Sequence, residues 1–196
     1  MARRSDHTRE ELHAMILDAA REIVERDGFA GLTIRRIGES IGYSSGTLYN
    51  LFDDLDDIVV HLNAATLDAL YAELAEIPAG DDVEETLRAH ADVYLRFVEQ
   101  RPLLWGLLFQ TMPTRSPRPD WYYSRMDRLF ALLENAFEPI FGSEPRQAKT
   151  DAARVLWSGL HGMCNLATEG AVLTWDEVKR LSDGLIGNYV AGLRRE

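Results

Sequence analysis

An all-α fold is predicted by three observations. Apolar residues recur at spacings of three and four along most of the chain, almost no stretch alternates with a period of two, and capping residues or glycines stand where helices of ordinary length begin and end. Strands are not expected. The 196 residues are 46% apolar, enough to bury a core as one large domain or two unequal ones.

Taken in order, a first helix is predicted from about Thr8 to Arg26. Leu12, Met15, Ile16, Ala19, Ala20, Ile23 and Val24 share its apolar stripe, and Asp27-Gly28 stops it. Two short helices follow, Thr33 to Ser40 and Ser45 to Leu51, and then a long one from about Asp54 to Glu76, with Gly42 and Phe52-Asp53 at the joints. Pro78 to Asp82 breaks the chain, and Asp81 or Asp82 is placed to cap a helix running to about Gln100. Pro102 opens the next helix at its first turn, where a missing N–H is harmless. The three prolines between Pro113 and Pro119 make a loop. Helices then fit Asp120 to Phe141, Glu144 to Glu169 and Trp175 to Arg194, the last capped by Thr174, which brings the total to about nine.

The net charge is −11, so no global basic field announces a nucleic acid, and any DNA contact must come from a local patch. Residues 1–52 hold seven arginines against eight acids, a balance of −1 that leaves −10 to the remainder. The single cysteine, Cys164, excludes an intrachain disulfide and suits a reducing compartment; it reads as a small buried apolar residue. The basic start Met-Ala-Arg-Arg-Ser-Asp-His lacks the apolar stretch of a secretory signal, and no segment approaches the ~18 to 20 apolar residues of a membrane span. A cytoplasmic protein with no membrane partner and no cofactor is expected.

The most informative stretch runs from Thr33 to Phe52. Two short helices meeting at a steep angle need a small residue where their backbones approach, which Gly38 supplies, and a tight turn tolerant of positive φ, which Gly42 supplies four residues later. Ile37, Ile41, Leu48 and Phe52 fall on the inner faces. Thr33 is placed to cap the first helix and Ser44 or Ser45 the second. Ser45, Gly46, Thr47, Tyr49 and Asn50 are left outward. Asn can bond adenine through two hydrogen bonds, Tyr and Thr can reach phosphates or a thymine methyl, and Gly lets the helix approach closely. Arg35 and Arg36, with Arg3, Arg4 and Arg9 ahead of them, are the cations available for phosphates. Asp53, Asp54, Asp56 and Asp57 lack the spacing of a calcium loop and read as acids favoured at a helix N-terminus.

These residues resemble the tetracycline-repressor (TetR) family of bacterial regulators. The likeness runs through Ile16-Leu-Asp-Ala-Ala20, Asp27-Gly-Phe, Leu32-Thr-Ile-Arg-Arg-Ile37 and Gly42-Tyr-Ser-Ser-Gly-Thr-Leu-Tyr-Asn-Leu-Phe52. It implies a helix-turn-helix DNA-binding domain over residues 1–53, a helical effector-binding and dimerisation domain over 54–196, a homodimer, a partly palindromic operator in double-stranded DNA, and release when a small-molecule effector binds. Carried over position by position, Arg35, Ser45, Gly46, Thr47, Tyr49 and Asn50 sit where the family contacts DNA; Arg36 and Ser44 complete the candidate set. One position departs: where the family usually has a lysine three residues after Phe52, this chain has Leu55 among four acids. Leu156-Trp-Ser-Gly-Leu-His-Gly162 is similar to the Trp-x-x-x-His-Gly signature of one C-terminal subgroup, with Trp157 and His161 on one helical face.

For the effector, Tyr94, Phe97, Trp105, Phe109, Met126, Phe130, Trp157 and His161 are the candidate lining of a largely apolar pocket. Gly159, Gly162, Gly184, Gly187 and Gly192 fall in the last two long helices, where each costs about 1 kcal/mol relative to Ala. Close helix approach would offset that, in a four-helix dimer interface or within one subunit. The expected function is a repressor released from its operator by a small apolar effector. An activator of the same fold, a DNA-binding architectural protein and a small helical enzyme are the alternatives; no Ser-His-Asp order, P-loop or spaced metal-ligand set supports the last.

Overall fold

The computed structural model describes residues 7–78, 80–109, 118–142, 146–168 and 172–194. Among them are ten α-helices and no strand: α1 (Arg9–Asp27), α2 (Ile34–Ile41), α3 (Ser45–Tyr49), α4 (Leu55–Ala75), α5 (Val83–Gln100), α6 (Pro102–Phe109), α7 (Asp120–Ala136), α8 (Glu138–Phe141), α9 (Arg146–Thr168) and α10 (Trp175–Leu193). The chain divides into two compact units, residues 1–66 with 103–122 and residues 67–102 with 123–196. No described helix is long and apolar enough to cross a membrane.

In the first unit Thr8, expected only as the start of the first helix, is its cap. Thr8 Oγ1 accepts from the Glu11 N–H at 3.1 Å and the Glu11 carboxylate accepts from the Thr8 N–H at 2.7 Å, closing a reciprocal box at the start of α1. Gly28 at φ 69° ends the helix. A 3-10 turn over Phe29–Gly31, which periodicity does not announce, leads to Thr33, whose hydroxyl caps α2. The core joins Leu12, Ile16, Ala20 and Ile23 of α1 to Ile37, Leu48, Phe52, Ile58 and Leu62, and Leu104 and Leu107 of α6 complete it. At the start of α4, Asp54 accepts from the Asp57 N–H at 2.8 Å and Asp57 accepts from the Asp53 N–H at 3.1 Å. These acids satisfy donors that a helix start leaves open, as the dipole argument requires.

In the second unit α10 lays Val178, Ser182, Ile186 and Val190, spaced by four, into the interior, and it packs on α5 and α9. Asp82 caps α5 by accepting from the Glu84 and Glu85 N–H groups at 2.9 and 3.3 Å. Thr174 and Glu177 form a second capping box on α10.

Two boundaries differ from expectation. The helix expected from Asp120 to Phe141 is broken at Phe137 into α7 and α8, because Pro139 has no N–H to continue the ladder and disfavours helical backbone before it. This break also raises the helix number above nine. The helix expected to reach Leu51 stops at Tyr49, with Asn50 as its cap and the Leu51 N–H turned to the Leu48 carbonyl at 2.9 Å. The expected start at Glu144 and most of the Pro113–Pro119 loop lie outside the described residues.

Two glycines of the turn separate packing from conformation. A Cβ on Gly38 would stand 2.7 Å from the Tyr43 carbonyl oxygen, whereas one on Gly46 would meet the Ser44 hydroxyl at 3.8 Å, an ordinary contact. Gly38→Ala is therefore expected to lower stability by about 1 to 3 kcal/mol through forced backbone shifts, and Gly46→Ala to leave it unchanged or slightly raised. Denaturant unfolding midpoints of the two variants check this.

Candidate nucleic-acid interface and effector cluster

Gly42 adopts the left-handed conformation, φ 75° and ψ 24°, and the Tyr43 N–H then turns back to the Gly38 carbonyl at 2.9 Å. The next residue, Ser44, caps α3: its hydroxyl accepts from the Thr47 N–H at 3.3 Å and lies 3.1 Å from the Thr47 hydroxyl. Leu48 is wholly buried and fixes the roll of the helix. On the opposite side Tyr49 is 55% exposed and Asn50 and Gly46 are exposed; Ser45 and Thr47 are half-buried. The five outward residues expected from the sequence thus share one short helix and its cap, with Tyr49 and Asn50 most prominent.

The two candidate arginines diverge. Arg35 is exposed and its Nε donates to Glu39 at 2.7 Å. Arg36 is drawn inward, donating to the Gly31 carbonyl at 2.8 Å and pairing with Asp27. Arg26 and Arg36 together hold the Asp27 carboxyl below its ordinary range, Arg26 contributing most. Gly31 fits under this staple because a Cβ there would meet Asp27 Cβ at 2.5 Å and the Arg36 guanidinium at 2.8 Å. Arg9 is exposed on the first turn of α1, and Arg3 and Arg4 lie outside the described residues.

Two features of this unit escaped the sequence reading. His7 Nδ1 lies 2.7 Å from the Tyr43 hydroxyl, joining the entry of α1 to the turn before α3. His13 stacks on Phe52 at 4.6 Å, His61 meets Phe52 edge-on at 5.4 Å, and Trp121 lies 4.9 Å from His61. Contacts between positions so distant in sequence leave no trace in periodicity.

The effector candidates fall in both units. Trp105 and Phe109 belong to the first unit, where their rings are 4.5 Å apart. In the second unit Phe97 is fully buried beneath the Arg101 guanidinium, 4.3 Å away, and Met126 is half-buried on α7. Tyr94, Phe130, Trp157 and His161 form a connected group. Trp157 stacks on His161 at 4.8 Å and meets Phe130 edge-on at 5.4 Å. His161 Nδ1 lies 3.3 Å from the Tyr94 hydroxyl, and its Nε2 lies 3.2 Å from the amide nitrogen of Asn165, a member the sequence reading missed. Burial pushes the Tyr94 hydroxyl well above its ordinary pKa and the adjacent Cys164 thiol up to about 12.

Comparison with known proteins bears on the family and the fold. Residues 16–62 match the family model described as bacterial regulatory proteins, tetR family, and residues 87–188, more than half the chain, match that of the tetracyclin repressor-like C-terminal domain. The chain is 28% identical over 178 residues to Rv0681, an uncharacterised HTH-type transcriptional regulator of Mycobacterium tuberculosis, spanning 87% of this chain and 79% of that protein. It is 34% identical over 73 residues to the HTH-type transcriptional repressor AcnR of Corynebacterium diphtheriae, 37% of this chain and 36% of that one. Among solved structures, a tetR-family transcriptional regulator from Streptomyces coelicolor superposes with a TM-score of 0.71 at 15% identity, over 93% of this chain and 80% of that chain.

Cys164 provides a check on the second-unit interior. With its thiol buried and its pKa near 12, the thiolate that reacts with alkylating agents is nearly absent at neutral pH. Iodoacetamide at about pH 8 is expected to leave the native protein unlabelled by mass spectrometry and to label it fully in guanidinium. Rapid native labelling would mean that this interior opens readily.

Proposed function

The chain belongs to the TetR family of bacterial regulators and is a DNA-binding transcription factor, not an enzyme; from that premise we propose that it is a repressor released by a small effector. The observation that carries the DNA reading is the placement of Tyr49 and Asn50, exposed on a helix whose Leu48 is sealed in the core. In this reading Asn50 addresses a base edge, Tyr49, Ser45 and Thr47 reach phosphates or a thymine methyl, and Gly46 admits the backbone close to the groove. Arg35 serves a phosphate once Glu39 releases it. Arg36 acts one step removed, by holding the turn from Asp27 to Gly31. That one partial relative is a repressor supports the sign of regulation.

In this proposal residues 1–53 read DNA and residues 54–196 bind effector and pair two subunits. Exposed Val155 and Leu166 on α9 and Leu181 on α10 support pairing through these helices. The glycines separate in the same sense. Gly159 abuts the Leu185 side chain and Gly187 lies near Glu84 within the subunit, whereas a Cβ on Gly162, Gly184 or Gly192 would meet nothing within 4 Å. Two recognition helices must enter successive major grooves about 34 to 36 Å apart. An effector that favours a form with α4 turned changes that spacing, and near-complete release requires a preference of roughly 5 kcal/mol. The aromatic group of Phe130 and Trp157 with Tyr94, whose hydroxyl burial keeps protonated, supports a largely apolar effector.

Selection from randomised duplexes is expected to return a partly palindromic site. Tyr49→Ala and Asn50→Ala should keep the native unfolding midpoint and each weaken binding to that site by about tenfold or more. Native-like affinity in both would place the reading face elsewhere. Sedimentation equilibrium is expected to show a dimer at micromolar concentration that Gly184→Asp converts to a folded monomer. A wild-type monomer would refute the interface. A melting-temperature screen against apolar and aromatic compounds should identify the effector, since a ligand of the native form alone raises Tm.

A further inference from the structure

His7 precedes α1 and Tyr43 opens the turn into α3, yet the His7 Nδ1 and the Tyr43 hydroxyl are 2.7 Å apart, with ring centroids separated by 6.1 Å and tilted by 60°. The Tyr43 backbone is fixed by its N–H bond to Gly38, and Ser44 beside it caps α3. The hydroxyl is therefore held at a set position next to the helix that carries Tyr49 and Asn50. We propose that His7 and Tyr43 form a phosphate grip beside the reading face. His7, protonated on both ring nitrogens, donates from Nδ1 to the Tyr43 oxygen, and Tyr43 donates its own proton to a phosphate oxygen of the duplex. The inference rests on the DNA-binding reading above and adds a proton to it.

The supply of donors limits this grip. A phenol has a single proton, and an imidazole nitrogen either donates or accepts. When Nδ1 is bare, the Tyr43 proton is spent on it and an approaching phosphate meets lone pairs. When Nδ1 carries a proton, the tyrosine proton is free for the phosphate, and the bond from His7 polarises it. A doubly protonated ring also supplies a cation, which matters in a DNA-binding half whose arginines are met by as many acids. The charged group interacting with His7 from α1 is the Glu11 carboxylate, already accepting the Thr8 N–H at 2.7 Å; from the turn, the titratable group is Tyr43 itself. A neutral ring with its proton on Nδ1 also leaves the tyrosine proton free but brings no charge; the phosphate favours the doubly protonated ring over it, so binding takes up a proton and affinity rises as pH falls.

The test uses the full chain and the duplex recovered by selection, with anisotropy titrations at constant ionic strength from about pH 6 to about pH 8. Wild-type binding is expected to be about fivefold or more tighter at the acid end. His7→Gln and Tyr43→Phe should each remove most of that gain, flatten the profile, and weaken binding no further when combined. Calorimetry in two buffers of different ionisation enthalpy should register proton uptake by the wild type that both variants lack. A flat wild-type profile overturns the grip. So does a Tyr43→Phe variant that loses affinity equally at every pH while still taking up the proton, since that is the behaviour of a merely structural tyrosine. If the wild type prefers the selected duplex to a random one at no pH, the DNA reading itself fails, and the grip with it.

Discussion

The Tyr43 N–H reaches back to the Gly38 carbonyl across a turn in which Gly42 takes the left-handed conformation, and the placement of α3 follows from that closure. A side chain at position 38 would collide with the Tyr43 carbonyl. One at 42 would have space but an unfavourable φ. Once the turn is closed, Leu48 and Phe52 drop into the core of the first unit. Tyr49 and Asn50, one and two positions past Leu48 and so about 100° and about 200° further round the axis, are thereby rotated outward. Chemistry at the surface is thus set by packing beneath it. Five helical residues would be a poor scaffold in isolation, because nucleation outweighs so few hydrogen bonds. Here the cap from Ser44 and the burial of Leu48 provide what propagation cannot.

Charge is handled with the same locality. An acidic protein that binds a polyanion must keep its carboxylates from opposing the phosphates. Asp54 and Asp57 are turned to the open N–H groups at the head of α4, and Asp27 is held between Arg26 and Arg36. Leu55, standing where the family usually has a lysine, fits this economy: that helix start is built to satisfy itself instead of reaching a phosphate. The consequence is that neutral donors such as Tyr49, Asn50, Thr47 and the Tyr43 hydroxyl carry a larger share of the proposed contact than cations do. Such contacts depend on orientation, and so on the rigidity of the turn. They release few counterions, so binding of this kind depends less on salt than binding built on many lysines.

What the sequence disclosed and what it withheld divide by range. Caps at Thr33 and Thr174, a cap at Asp81 or Asp82, the glycine stops at 28 and 42, and the inward set Ile37, Leu48 and Phe52 are local consequences of residue type and spacing, and all were legible; Thr8 was read only as the start of α1. The Trp157 to His161 stack was legible for the same reason, four residues on a helix being one face. The break at Phe137 was readable in principle from Pro139, but a continuous apolar periodicity masked it. The long-range contacts were not readable: His7 to Tyr43, Tyr94 to His161, and the division of the aromatic set that left Trp105 and Phe109 in a different unit from Trp157. Hydrophobicity says that such side chains are inside. It does not say which interior they occupy. Arg36 shows the same limit for charge, since nothing in the spacing of two adjacent arginines reveals that one is bound to Gly31 and Asp27 while the other stays in solvent.

The interior of the second unit carries the argument one step further, toward the chemistry of the proposed effector. Burial pushes His90 below its ordinary pKa, and its Nδ1 lies 2.8 Å from the Thr86 carbonyl oxygen, a bond the neutral ring makes by donating. Burial pushes Tyr94 and Cys164 the other way, into their protonated and equally neutral forms. The same environment thus drives a base and two acids to zero charge, which is what a region of low polarity does to any ionisable group. An ion entering it would surrender its hydration, at a cost that a few aromatic contacts do not offset. A neutral molecule with an aromatic or aliphatic body meets the opposite balance, gaining dispersion and burial against Phe130 and Trp157. Its few polar atoms would have to compete for His161 and Asn165, which already serve each other. Selectivity in such a site comes from displacing that internal bond with an equivalent one, so an effector lacking a matched donor or acceptor leaves a buried polar group unsatisfied and binds weakly.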